Sequence, residues 1–419
     1  MIRILYCFLL VILSPPLLFG LYRKRPNKPK FGKRWIEHFG FGDHLYCKQQ
    51  PLWIHTVSVG ETIAAIPFIR KLKEQEPNLT IVLTTTTSTG AEQAKKLGAL
   101  VIHRYMPIDF GWCIKNFLKR VGPYQLLIME TELWPNTLHT VHKASIPITV
   151  MNARLSEKSL KNYSLFSSFF KQLSNNLSLI ICQQNSDKDR FLQLGVPEHK
   201  LTVVGSIKYE INITKETIEH ANQLRNMLGI NRPIWIAAST HKGEDEKILT
   251  AHEFICKHLK DALLILVPRH PERFDDVFAL CNKLNLITVR RTKNDMVTQR
   301  TQVYLADTMG EMLPLIGCAD VCFMGGSLLG DKVGGHNILE PASLRKPIVI
   351  GPSYFNFSDI VNTLRDRDAC IITTEKELKN NVIKLLLDSG YATKISDNAT
   401  CFIKTQQGAI QRTLDNIKI

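Results

Sequence analysis

Gly325-Gly326-Ser327-Leu328-Leu329-Gly330, followed closely by His336-Asn337-Ile338-Leu339-Glu340-Pro341-Ala342, is the stretch whose reading decides the fold of this chain. The apolar runs around it read as strand (Asp320–Met324), Gly-rich loop, helix (about Asn337–Leu344) and strand (Pro347–Ile350). A loop that delivers backbone N–H groups and a helix N-terminus to one point favours an anion. Glu340, one turn into the helix, adds a carboxylate able to accept hydrogen bonds from two ribose hydroxyls. Together they suggest a sugar nucleotide rather than a bare phosphate. Gly-rich βα turns are common, so this reading leans on signals elsewhere in the chain.

Working outward, the same alternation of β-branched runs and amphipathic helices extends in both directions. Leu52–Val57, Thr80–Thr87, Val101–Tyr105, Gln125–Met129, Ile146–Asn152, Leu179–Gln183 and Leu201–Gly205 read as strands, with helices over Glu61–Gln75, Gly90–Leu97 and Phe110–Val121. A second series, Ile234–Ala238, Leu263–Val267, Leu286–Val289, Val303–Ala306, Val321–Met324, Ile348–Ile350 and Cys370–Thr373, ends with one helix over about Asn398–Asn416. This is βαβ patterning, hence α/β with two doubly wound parallel sheets, over 51–212 and 213–419. Two such domains in series imply a central cleft, with ligands at the carboxyl ends of strands.

The 419 residues carry 44% hydrophobic and 22% charged residues, the balance of a globular protein with proper cores. Ten cysteines are spread singly with no C-x-x-C pair, which argues against a disulfide scaffold or a zinc site and for the cytosolic side. Net charge is +15. Arg23, Lys24, Arg25, Lys28, Lys30, Lys33 and Arg34 form a block with no acidic residue, directly after the uncharged Ile4–Tyr22. That arrangement predicts an N-terminal membrane anchor (1–22) and a basic juxtamembrane segment (23–50) that stays cytoplasmic and attracts anionic lipid. Pro15-Pro16 is expected to kink the anchor or restrict it to one leaflet. No small-x-small site marks a cleaved signal peptide. Acidic residues at strand ends, and the lack of an aromatic-rich basic platform, oppose nucleic-acid binding.

Several loops carry chemistry. In Ser58-Val59-Gly60-Glu61, Glu61 either closes a capping box on Ser58 or serves as a general base, weakened by the helix dipole. Glu130 and Glu132, read as strand residues, point to one face beside Trp134. Lys208 could neutralise developing negative charge. Arg269 and Arg273 suit a phosphate. Asp307-Thr308-Met309-Gly310-Glu311 ends another strand, and with Glu340 it surrounds a nucleotide-sized space.

Ser58–Glu61, Glu130–Asn136, Asn152–Ser156, Val267–Arg273, Asp307–Glu311 and His336–Ala342, in this order, resemble the 3-deoxy-D-manno-oct-2-ulosonic acid (Kdo) transferases, membrane-bound bacterial enzymes of lipopolysaccharide biosynthesis. The resemblance covers nearly the whole chain. It implies a GT-B glycosyltransferase fold of two Rossmann-like domains, the first binding a lipid A precursor and the second CMP-Kdo, at the inner membrane, with no cofactor or metal. It implies Glu61 as proton acceptor and Glu130 and Lys208 as transition-state stabilisers. Pro268, Arg269, Met309, Gly310, Glu311, Asn337, Ile338, Leu339 and Glu340 match its CMP-binding segments. Ile338 departs from the proline many members carry. One or several Kdo residues are compatible with the resemblance. A sugar-nucleotide 2-epimerase of the GT-B fold is the alternative.

Overall fold

The computed structural model describes residues 2–23, 29–211 and 213–417. Lys24, Arg25 and Lys28 of the basic block lie outside the described residues, as does Asn212 at the expected domain boundary. The chain divides into two units, Met1–Glu210 with Gln406–Ile419, and Ile211–Thr405.

The first unit is built on seven strands: β1 (Leu52–Thr56), β2 (Ile81–Thr85), β3 (Ile102–Tyr105), β4 (Gln125–Met129), β5 (Ile148–Ala153), β6 (Leu179–Cys182) and β7 (Leu201–Val203). All neighbours pair in parallel in the order β3-β2-β1-β4-β5-β6-β7. Alternate residues along β1 serve opposite faces. Trp53 packs with Ile128, Phe117 and Val150, while Leu52 and Ile54 pack with Phe68, Leu83 and Met151. Both faces are therefore covered, which is why these strands read as continuous apolar runs. The strand order reverses between β1 and β4. The loops leaving these two strands splay to opposite faces there and open a crevice at their carboxyl ends.

The second unit repeats the plan with β8 (Ile234–Thr240), β9 (Leu263–Pro268), β10 (Thr288–Arg290), β11 (Val303–Leu305), β12 (Val321–Met324), β13 (Ile348–Ile350) and β14 (Ile371–Ile372). Its order is β10-β11-β9-β8-β12-β13-β14, again all parallel. The reversal falls between β8 and β12, so the Gly-rich loop after β12 stands at a switch point. The sequence reading of two doubly wound parallel sheets thus holds.

Three local readings need correction. The single C-terminal helix is two, Ser389–Gln406 and Ala409–Asn416, broken at Gly408 with φ 87°. The second of them returns to the first unit. Ala409, Ile410, Leu414 and Ile417 join the core cluster of Leu52, Phe68 and Met151, Glu210 accepts from the Gly408 N–H at 2.6 Å, and Arg412 donates to the Val204 carbonyl at 2.8 Å. The boundary 213–419 therefore overruns the second unit. The helix expected over Asn337–Leu344 is only Leu339–Ser343. Lastly, Pro15 and Pro16 do not interrupt the N-terminal helix, which runs unbroken from Ile2 to Tyr22. Pro15 has no N–H for the Val11 carbonyl, and the Ser14 hydroxyl donates to that carbonyl instead, at 3.0 Å. This helix is long and apolar enough to cross a membrane.

Assignment of the returning helix to the first unit has a direct test. Leu414 is 6% exposed, and Leu414→Ala should cost about 2–4 kcal/mol. Urea unfolding followed through the environment of Trp53 should show the loss. A shift confined to the environment of Trp235 in the second unit would contradict it.

Candidate active site

In the first unit the acids gather at the switch point. Ser58 caps the helix Val59–Gln75, its Oγ accepting from the Glu61 N–H at 3.3 Å. The Glu61 carboxylate reaches back, accepting the Val57 N–H and the Ser58 hydroxyl, each at 2.7 Å. The capping role is thus real, one residue displaced from the usual box. It does not make Glu61 a weaker base, as the helix dipole alone would. Burial raises its pKa and the Glu130 charge adds to that, while the bonds from Val57 and Ser58 act against both. Glu61 is 7% exposed.

Glu130 does not continue β4. It sits at φ 59°, in the left-handed region that a residue with a β-carbon adopts at a cost. The expectation that Glu130 and Glu132 share a strand face therefore fails. The turn aims Glu130 at Lys208, whose Nζ lies 2.6 Å from its Oε1. Glu132 accepts from the Trp134 indole N–H at 3.2 Å. Burial, then the charges of Glu61 and Glu130, hold the Glu132 carboxyl above the ordinary range. Three acids and one lysine, from the loops after β1, β4 and β7, form one electrostatic group.

Asn152 organises the β7 side of this group and was not singled out from the residues. It also has positive φ, 55°, where β5 shifts register, and its Oδ1 accepts from the Ser206 hydroxyl and the Ile207 N–H at 3.2 Å each. That holds the short turn Ile207–Tyr209 that carries Lys208. A strained asparagine at a strand end gives no periodic signal, so sequence reasoning had little to find it by.

In the second unit the Gly-rich loop differs from expectation. Three of its amides are already taken: the Glu244 carboxylate accepts from the N–H groups of Gly326 (2.7 Å), Ser327 and Leu328 (3.0 Å each), and also from that of His241 after β8 (3.3 Å). Glu244 is fully buried. The anion this loop holds is internal, and the loop serves to place the segment from His336 to Glu340. Gly325 is required there, because a β-carbon would meet the Ser239 carbonyl at 2.7 Å.

A set of side chains gathers at the ends of β8, β9 and β12. His241 and His336 stack with centroids 5.0 Å apart and Nε2 atoms 2.8 Å apart, and His270 meets His241 edge-on at 5.3 Å. Burial first, then neighbouring cations and histidines, push His241 and His336 down to about 4. Both rings are neutral at pH 7, and one donates to the other. Glu340 stands in the same group. Burial pushes its carboxyl up to about 7, against the pull of Arg269 and a hydrogen bond with Asn337. Arg269 is exposed, leaves β9 next to Pro268, and makes no ion pair among the described residues.

Arg273 is not available for a ligand. Its guanidinium pairs with buried Asp245 and donates to the Thr240 carbonyl at 2.8 Å. Glu311 is likewise engaged, gripped by Arg291 at 2.5 and 2.6 Å, which holds its carboxyl below the ordinary range. What its segment offers is the backbone at Gly310, which has open space around it, and the exposed Met309 side chain. Ile338 and Leu339 are buried and frame Asn337, whose Oδ1 accepts the Leu339 N–H at 3.1 Å. Among the described residues no group of three or more His, Cys, Asp or Glu is arranged to hold a metal ion.

These two groups can be set beside known proteins. A 3-deoxy-D-manno-octulosonic acid transferase of Haemophilus influenzae is 38% identical over 420 residues, which is 99% of this chain and 98% of the relative. The chain belongs to the Kdo transferase family. Residues 33–211 also match the family model described as 3-deoxy-D-manno-octulosonic-acid transferase, a span that holds Glu61, Glu130 and Lys208. A solved C-terminal CMP-Kdo binding domain of WaaA from Acinetobacter baumannii is 39% identical, covering 46% of this chain and 99% of that one, with TM-score 0.44. The UDP-GlcNAc 2-epimerase of Neisseria meningitidis is 14% identical, covering 88% of this chain and 100% of its own, with TM-score 0.56. That likeness is one of fold, the GT-B arrangement of two parallel-sheet domains. The family is one of glycosyltransferases, and the epimerase alternative has only the fold in its favour.

Glu244→Ala should leave four backbone N–H groups without their acceptor. Unfolding of the second unit in urea should become easier by about 3 kcal/mol or more, and the first unit should be unaffected. Unchanged stability would mean that the loop holds its shape without the internal carboxylate.

Proposed function

We propose that this chain transfers Kdo from CMP-Kdo to a lipid A precursor, with inversion at the anomeric carbon, on the cytoplasmic side of a bacterial inner membrane. The observation that carries the chemistry is the meeting of Glu61, Glu130 and Lys208 at the carboxyl ends of β1, β4 and β7. In this reading the acceptor hydroxyl loses its proton to Glu61 as its oxygen attacks the Kdo anomeric carbon. The bond from that carbon to the phosphate oxygen breaks, and CMP leaves with the electron pair. A carboxylate whose pKa is raised by burial and a like charge is a stronger base than a free one, and it needs no cofactor.

Glu130 and Lys208 act as a unit. Lys208 offers positive charge to the carboxylate-bearing sugar and is held in place by Glu130. In the second unit Arg269 serves the phosphate, Glu340 the ribose hydroxyls, and Met309, Gly310 and Glu311 the cytosine through backbone and the exposed methionine. Asn337, Ile338 and Leu339 shape the turn that presents Glu340. The apolar helix Ile2–Tyr22 keeps the enzyme at the bilayer that contains its acceptor, and the basic residues beside it attract anionic lipid.

Glu61→Gln separates the cap from the base. The amide can still accept the Val57 N–H and donate to Ser58 Oγ, so the melting temperature and CMP affinity should persist. Turnover should fall by about 10² to 10⁴, the usual contribution of a general base. In the wild type, turnover should climb with pH as the raised Glu61 pKa is passed. Near-normal turnover of Glu61→Gln, measured where chemistry limits the rate, would move the base to Glu130 or Glu132.

Glu340 predicts a pH dependence of nucleotide binding. A ribose hydroxyl donates well to a carboxylate and poorly to a carboxylic acid, so CMP affinity should weaken as pH falls through about 7. Calorimetry on Glu340→Gln should show weaker binding with this dependence gone. Arg269→Ala should lose about 1.5–3 kcal/mol of CMP binding, whereas Arg273→Ala should lose mainly fold stability. A pH dependence that survives in Glu340→Gln would remove Glu340 from the ribose.

A further inference from the structure

The short helix Gly32–Phe39 is inside out. Its buried residues are Glu37 and His38, while Trp35 is 49% exposed and Ile36 is 40% exposed. The burial of Glu37 is fully compensated: Arg34 binds it at 2.7 and 2.9 Å, and the Tyr105 N–H donates to it at 2.8 Å. A segment that turns its acid inward and its tryptophan outward meets something less polar than water on its outer side.

The outward apolar groups continue onto a neighbouring helix. Phe39 stacks on Trp112 at 6.1 Å, and Phe41 lies 6.4 Å from the same ring. Phe41 is 43% exposed and Trp112 is 51% exposed. On the helix Gly111–Val121, Cys113, Ile114, Phe117 and Val121 face the core, while Lys115 and Lys119 share the outer face with Trp112. Lys30 and Lys33, shortly before Trp35 in the sequence, are exposed. Exposed tryptophans accompanied by exposed lysines are the composition of a surface that rests at the lipid headgroups.

The N-terminal helix adjoins this patch and is tied to the same unit near both of its ends. Arg3, Tyr6, Cys7, Leu10, Ser14, Leu18 and Leu21 are half-buried, a stripe at helical spacing, and Ile4, Leu5, Phe8, Val11, Ile12 and Phe19 on the other side are exposed. Near one end the Tyr6 hydroxyl donates to Asp109 at 2.8 Å; at the other the Tyr22 hydroxyl meets His38 Nδ1 at 2.7 Å, with its ring 5.3 Å from Phe31. From Tyr6 to Tyr22 is about 24 Å of helix. A helix tied near both of its ends to a water-soluble unit cannot stand upright in a bilayer without drawing that unit in with it.

We infer that the outer face of this helix and the patch of Trp35, Ile36, Phe41 and Trp112 form one docking surface for an anionic phospholipid bilayer, with the helix in the plane of a single leaflet. The inference rests on the membrane reading of the helix and not on which sugar is transferred.

Tryptophan fluorescence of the full chain tests it. Trp53 and Trp235 are fully buried and Trp134 is half-buried, its indole N–H bonded to Glu132, so lipid contact should report chiefly on the exposed Trp35 and Trp112. On phosphatidylethanolamine–phosphatidylglycerol vesicles with brominated acyl chains the wild type should be quenched. Trp35→Phe with Trp112→Phe should bind as well but lose most of the quenching, and Trp35→Gln with Trp112→Gln should bind about tenfold more weakly. A protease-cleavable tag ahead of Met1 should be cut from outside the sealed vesicles. Equal quenching in the Phe variant, or a wild type that binds without quenching, overturns the patch. A protected tag overturns the in-plane helix. A full-length protein that does not bind vesicles at all overturns the membrane reading itself.

Discussion

One buried carboxylate organises the second unit. Glu244 takes four backbone N–H groups, three of them from the loop after β12. It thereby joins the ends of β8 and β12, the strands that bracket the switch point. Without it, the glycines that give the loop its freedom would leave the residues from His336 to Glu340 without a fixed position. The first unit uses the same device with other groups. Asp109 collects the amides of Asn136 and Thr137, and Asn152 collects Ile207. In each case an acceptor at one strand end fixes the loop leaving another, so side chains from separate loops are held at defined separations.

On that framework the electrostatics of the two groups run in opposite directions. Burial first, and then the neighbouring carboxylate charges, raise the proton affinity of Glu61 and of Glu132, with Lys208 paired to Glu130 as the local counter-charge. Around Glu340, burial first and then the nearby histidines and Arg269 keep His241 and His336 neutral. In the function proposed above, the first group accepts a proton and the second receives an anionic ligand beside neutral histidines.

Much of the fold was legible because a parallel sheet covered on both faces demands continuous apolar strands, and nearly every strand was found within a few residues. The site was legible in part. Glu61 lies in a turn whose spacing announces it. Glu130 was found, but its orientation was misread, since a left-handed residue at a strand end looks like one more strand residue. Arg273 resembled a phosphate ligand because the sequence does not reveal that Asp245 is folded against it. Glu244 lies in a polar turn, His241–Glu246, with nothing to distinguish it from a solvated acid. Gly408 resembled a tolerated glycine within a long helix, because only the packing of Ile410 and Leu414 shows that the chain has changed partners.

The return of the C-terminal helix has a consequence for synthesis. In chain order the second unit is an insertion within the first. The ribosome releases everything needed for Ile211–Thr405 before it releases Ile410 and Leu414. Until those residues arrive, the face of Leu52, Phe68 and Met151 stays uncovered. The unit that begins first is therefore completed last, and the half that carries Glu61 matures only after the half that carries Glu340.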